Sequence, residues 1–278
     1  MPNTSSPFAL FFIIVVVTCV TTVSSSFCDT SPSWALSWED DFNEPTLDLT
    51  SWTIQVGNAG RNIGSCRDAL CTAENVYVEN GNLVIVSKRE EKGGYNFTTG
   101  GLDTSGKKNW AYDPTYRLCV TAKLPGGNGG GQGVWPAHWL MPDDASCDPD
   151  EGEIDILEMV DGDEAAHATY HWQTTWPQTN CSYPKGHKQA SIAFDIPTFA
   201  SEYHEYAVEH SPDFVAFVYD GVTVLNTTKE EGTLFWGMPF YLIVNTAIGG
   251  SWPGMPNSTT LFPAFHYIDK VKVVTATS

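Results

Sequence analysis

Positive charge is scarce in this chain. Its 278 residues carry 14 Lys and Arg against 33 Asp and Glu, a formal net charge of −19. So acidic a surface repels phosphate backbones and anionic membranes, which removes nucleic acid from the expected partners and suits a neutral or cationic one. Helical periodicity of useful length is missing too, and residues 197–206 have room for a turn or two at most. Beyond residue 26 no apolar run is long enough to span a bilayer. There is no Cys-x-x-Cys and no Cys/His cluster with zinc spacing, so nothing points to a zinc site. Linkers and internal repeats are absent as well. The glycine-rich stretch 126–133 is short enough to be a loop that lets backbone approach a ligand or a neighbour.

Residues 1–26 contain no acidic or basic side chain. Within them an apolar run, 8–17, is followed by Thr and Ser, with small Ser24 and Ser26 before Phe27. This pattern is expected to be a secretory signal peptide, 1–26, leaving 27–278 as one exported domain with no membrane anchor once the signal is gone. Cys19 would leave with it. Cys28, Cys66, Cys71, Cys119, Cys147 and Cys181 remain, an even set that suits disulfides in a secreted chain. Cys66 and Cys71 could close a short loop, but the connectivity stays open. Glycosylation sequons begin at Asn96, Asn180, Asn226 and Asn257.

Aromatic residues and strand signals are plentiful. Asn80-Gly81 lies between runs 76–78 and 83–86, and Asp220-Gly221 lies between 214–219 and 222–225. Both are two-residue hairpin turns flanked by strand formers. Further strands are expected at 117–123, 134–140, 154–160, 166–172, 204–209, 240–246 and 267–274. Many short strands with turn residues between them indicate an all-β chain, a sandwich of two antiparallel sheets.

The chemistry centres on one of those strands. Glu153, Asp155 and Glu158 lie within six residues, separated by Ile154, Ile156 and Leu157. In an extended chain Glu153 and Asp155 share a face, while strict alternation would turn Glu158 away. One extra residue, a β-bulge, would bring Glu158 back beside the other two. Two such carboxylates suit glycoside cleavage: one attacks or stabilises the sugar cation, and the other, kept protonated, donates to the leaving oxygen. The acid between them helps to separate their pKa values. Taken alone, the six residues fit a solvated acidic strand face slightly better. Indoles decide for the sugar reading. Trp135, Trp139, Trp172 and Trp252 gather near strand ends, and their flat faces suit pyranose rings.

The ordered set of motifs resembles glycoside hydrolase family 16, in particular its laminarinase-like endo-β-1,3-glucanases. It runs from residues 38–43 through 78–85, Ala122-Lys123-Leu124-Pro125, Gly133-Val134-Trp135-Pro136-Ala137, the Glu-x-Asp-x-x-Glu strand and His171-Trp172 to 245–250 and 268–271. The resemblance implies a curved β-jelly roll with a concave substrate cleft. It further implies Glu153 as nucleophile, Glu158 as acid/base and Asp155 as the assisting carboxylate. Retention of anomeric configuration normally needs the two carboxyl groups about 5–5.5 Å apart. Trp135, Trp139, His171, Trp172, Asn245 and Trp252 are expected in the cleft, with Arg89 either a sugar contact or a surface ion pair. The six-residue acidic motif matches laminarinases, agarases and carrageenases, and the acidic charge disfavours sulfated galactans. No cofactor is implied for catalysis. Some relatives hold a structural Ca²⁺, for which Gly81 and Asp269 are the matching positions.

Three features depart from the family pattern. Cys119 stands where many relatives have a charged residue, His138 where Phe is common, and the segment 57–72 differs from the usual cleft loop. The expected protein is a secreted, monomeric, retaining endo-β-1,3-glucanase whose partner is β-glucan. The alternatives are a non-catalytic β-1,3-glucan recognition protein, a transglycosylase, and a mixed-linkage β-1,3(4)-glucanase.

Overall fold

The computed structural model describes residues 25–57, 66–127, 131–143, 152–160, 165–173, 186–228 and 238–277. Residues 1–24, Cys147, Cys181 and Asn180 lie outside them. The strands, in chain order, begin with β1 Trp34–Asp40, β2 Thr53–Ile54, β3 Leu70–Cys71, β4 Val76–Glu79, β5 Asn82–Lys92 and β6 Tyr95–Thr99. Then come β7 Gly101–Asp103, β8 Tyr116–Lys123, β9 Val134–Pro142, β10 Glu153–Met159, β11 Ala165–Gln173 and β12 His187–Asp195. The chain closes with β13 His204–His210, β14 Phe214–Tyr219, β15 Val222–Thr228, β16 Phe240–Ile248 and β17 Ala264–Ala276. A single 3₁₀ turn, Ala73–Asn75, is the helical content among the described residues. No helix there is long and apolar enough to cross a membrane.

Two sheets make an all-β jelly-roll sandwich. One runs β12-β11-β10-β9-β16-β7-β2; the other runs β15-β14-β13-β8-β17-β5-β6-β3, with β1 on β17 and β4 on β5. Pairing is antiparallel except where two-residue β3 meets β6. Both hairpin turns form as expected. Asn80 and Gly81 have φ of 51° and 73°, and Asp220 and Gly221 have 45° and 78°. That pair of left-handed residues matches the right-handed twist of the strands it joins.

The core lies between the sheets. Ile154, Ile156, Leu157 and Met159 of β10 pack with Leu83, Ile85, Leu118, Val120, Val271 and Val273 from the facing sheet. Cys28 is bridged to Cys119 and Cys66 to Cys71. The first bridge fastens the amino-terminal segment to β8. The second closes the short loop. A charged pair survives next to Cys119: Arg117 Nε donates to Glu209 Oε2 at 2.7 Å. Asn96, Asn226 and Asn257 are all exposed.

Candidate active site

The extra residue is present in β10. Against β11, Asp155 pairs with Thr169 and Glu158 with His167, so three residues advance on β10 while two advance on β11. Against β9, Asp155 pairs with Trp139 and Leu157 with His138. Ile156 and Leu157, consecutive in sequence, are both fully buried. Burying a leucine side chain is worth about 1.5–3 kcal/mol, which favours the bulged register over strict alternation. Glu153, Asp155 and Glu158 therefore share the face that looks away from the core. From the opposite sheet, the Tyr219 phenol donates to the Ile156 carbonyl, holding the distorted peptide from behind.

Neighbouring strands complete the floor, because directly opposed residues share a face. His171, Thr169 and His167 stand opposite Glu153, Asp155 and Glu158 on β11. Asp155 is buried, and its Oδ2 lies 3.0 Å from His171 Nε2. On its other side His171 Nδ1 lies 3.1 Å from His187 Nε2 on β12. One ligand atom each from Glu153, Asp155 and His171 lies within 4.8 Å of the others, close enough to share an ion. An imidazole in that group makes it unlike the all-oxygen shell that calcium prefers.

Glu158 has a different environment. Burial, partly offset by His171, the Trp135 indole N–H and Arg67, leaves its pKa raised to about 7. The indole N–H donates to Glu158 Oε1 at 3.2 Å. Trp135 in turn meets Trp252 edge-on, ring centroids 5.4 Å apart, and the Arg67 guanidinium lies 5.0 Å from its ring centroid. Trp252 is 45% exposed and also touches His167. Trp139 and Asn245 are buried in the floor, where the Trp139 indole N–H donates to Asn245 Oδ1 at 2.8 Å.

Two expected cleft residues are elsewhere. Trp172 follows His171 directly, so pleating sends it to the other face, and it stacks on Tyr170 in the main core. Arg89 lies between Phe97 and Phe262, 5.1 and 5.2 Å from their ring centroids, and donates to the Asn257 carbonyl. It lines a separate pocket of about 560 Å³ with Tyr77, Lys88 and Phe265. The aromatic sandwich, rather than an ion pair or a contact with the acidic strand, accounts for its position.

The calcium positions meet at one sheet edge. Ile268 pairs with Leu83, so Asp269 falls beside the turn that contains Gly81. A Cβ on Gly81 would lie 3.0 Å from Asn43 Oδ1, which places a further oxygen there. An all-oxygen set of this kind fits a hard cation.

The model for glycosyl hydrolases family 16 matches residues 66–267. The chain belongs to that family. A beta-glucanase of Rhodothermus marinus is 30% identical over 279 residues, covering 95% of this chain and 92% of the relative. The laminarinase catalytic domain from Thermotoga maritima MSB8 superposes with a TM-score of 0.76 at 30% identity, covering 88% of this chain and all of that one. An endo-beta-1,3-glucanase from Pyrococcus furiosus superposes with a TM-score of 0.75 at 28% identity, covering 88% and 95%. The family 16 fold thus carries the three carboxylates on its seven-stranded sheet.

Four residues around the site escaped the sequence reading: Arg67, His167, His187 and Tyr219. The Cys66–Cys71 bracket marked a constrained loop at Arg67. His167 shares a strand face with His171, a period-2 relation open to inspection. His187 comes from β12, which the sequence reading did not identify as a strand, and Tyr219 reaches the site from the opposite sheet.

Proposed function

We propose that this family 16 chain is a secreted, retaining endo-β-1,3-glucanase acting on laminarin-like or cell-wall glucans. The observation that carries the reading is the bulge, which sets Glu158 on the same face as Glu153 while burial keeps it protonated up to about pH 7. The similarity to laminarinases supports β-1,3-glucan as the substrate class.

In this mechanism Glu153 attacks the anomeric carbon while Glu158 gives its proton to the departing oxygen, leaving a glycosyl ester on Glu153. Glu158, now a carboxylate, takes a proton from water, which opens the ester and restores both groups. Asp155, held by His171, stands on the same strand face as the nucleophile and assists it. Trp135 and Trp252 offer ring faces to the sugar. Carboxylates do all the proton and bond transfer. Calcium at the Gly81 carbonyl and Asp269 would brace the sheet edge; chelation should then lower Tm in the parent but not in Asp269→Asn.

Reducing-end assays on laminarin, barley mixed-linkage glucan, agarose and carrageenan test the proposal. Laminarin should be the preferred substrate. Glu153→Gln and Glu158→Gln should each lower kcat by about 10³-fold or more while oligosaccharide binding stays within several-fold. Near-parental rates in both variants would sink the assignment.

A further inference from the structure

The segment 57–72 departs from the family pattern in sequence, and within its described part Arg67 reaches the surroundings of the acid/base. We infer that Arg67, held in the cleft by the Cys66–Cys71 loop, is a positioning residue for Glu158: it clamps the indole that bonds that carboxyl and brings positive charge beside it. The inference rests on the reading of Glu158 as the acid/base.

Four observations place Arg67 there. First, its loop is tied to β16 by backbone. Arg67 forms a parallel bridge with Ile248, and the Asp68 N–H donates to the Ile248 carbonyl at 2.9 Å. Second, the loop is tied at its ends and its turn. Cys66 is bonded to Cys71, the Gly57 N–H donates to the Cys71 carbonyl at 2.9 Å, and Asp68 Oδ2 accepts from the Gly250 N–H at 2.9 Å. Third, Arg67 sits at φ 52°, a left-handed conformation that a non-glycine residue holds only when its surroundings enforce it. Fourth, the backbone beside it has been cleared. A Cβ on Gly249 would strike Asp68 Oδ2 at 2.5 Å, and Gly250 lies against both Trp135 and Arg67.

The consequence runs through one indole. The Arg67 guanidinium lies over the Trp135 ring, 5.0 Å from its centroid, and the edge of that ring donates to Glu158 Oε1. A planar cation over an indole fixes the plane of the ring, so the direction of its N–H is fixed with it. The positive charge also favours the carboxylate form of Glu158, opposing the effect of burial. Burial alone would leave Glu158 a good acid and a poor base. With His171, the Trp135 indole N–H and Arg67 all favouring the carboxylate, the group can serve in both halves of a double displacement near neutral pH.

Titration of the Trp135 indole N–H resonance by NMR in the intact protein tests this without depending on turnover. Trp135→Phe assigns the resonance, and Glu158→Gln should abolish its titration. In the parent the midpoint should lie near 7. Arg67→Met should raise it. The alkaline limb of the pH–rate profile should move the same way, because the acid stays protonated longer. Arg67→Lys keeps the charge but loses the guanidinium over the indole, so its midpoint should rise by less than that of Arg67→Met. Cys66→Ser/Cys71→Ser should move the midpoint as Arg67→Met does; if that variant does not fold, Arg67→Met decides alone. An unchanged midpoint in folded Arg67→Met would overturn the inference. A shifted midpoint in a protein that hydrolyses no glucan would uphold Arg67's effect on Glu158 and defeat the enzymatic reading instead.

Discussion

His171 and His187 meet at 3.1 Å on the cleft face of the seven-stranded sheet, while His138 and His266 meet at 3.0 Å between the two sheets. Both pairs adjoin β10, one on each of its faces. The cleft pair keeps some exposure and has the Asp155 carboxylate 3.0 Å from His171. The core pair is fully buried, its rings nearly parallel at 21°, with Thr246 Oγ1 3.2 Å from His266 Nδ1. Burial lowers the pKa of His266 to about 3, and burial together with the nearby His266 drives His138 well below its ordinary value. Identical side chains at nearly identical separation thus do different work. One pair lies beside a carboxylate, and the other is a neutral bolt between sheets. Position on the pleat makes the difference.

The most disruptive way to probe that contrast is at the bulge. If Leu157 faces the core as described, Leu157→Ala should cost about 2–5 kcal/mol in denaturant unfolding. Under strict alternation it would face the cleft, and a loss below about 1 kcal/mol would show that register instead. Tyr219→Phe leaves the packing and removes the donor to the Ile156 carbonyl. It should cost about 1–3 kcal/mol and lower kcat with little change in KM, since the displaced group is Glu158. A variant with parental stability and parental kcat would mean that the bulge holds itself.

The core histidines predict an acid liability. Their folded pKa values lie below the unfolded value of about 6.5, so below that pH the unfolded chain binds more protons than the folded one. Stability should therefore fall as pH drops from about 6.5 toward 3, by up to about 1.4 kcal/mol per pH unit for each histidine. His138→Phe/His266→Leu should flatten that slope in unfolding measured from pH 7 to 4, and an equal slope would show that the pair is not its source. The smallest effect belongs to the cleft pair. His187→Ala removes one partly exposed hydrogen bond and should lower kcat/KM about 2–10-fold while Tm barely moves. A Tm loss as large as that of the core double variant would erase the distinction between the two pairs.

Much of this arrangement was legible in the chain. Asn80-Gly81 and Asp220-Gly221 announced their hairpins, because few other dipeptides accept two left-handed residues. The spacing of Glu158 from Asp155 announced the bulge, since apolar Ile156 and Leu157 leave no other way to bury both. The Trp172 expectation conflicted with the pleat of β11, because adjacent residues of a strand without a bulge there face opposite sides. Strand β12, His187–Asp195, went unread although Ala190, Ile192 and Phe194 alternate toward the core along its second half. Arg89 was legible only as a cation. Phe97 and Phe262, which enclose it, come from segments far apart in sequence.

Local order alone determined which residues form strands, where the hairpins turn and that three acids lie on one bulged ribbon, because pleat and turn preferences act over a few residues. The sandwich decided the rest. Which sheet covers which face, which histidines lose water, and which loop brings a guanidinium to Trp135 depend on contacts between strands distant in sequence, and burial sets the charge that each group can bear.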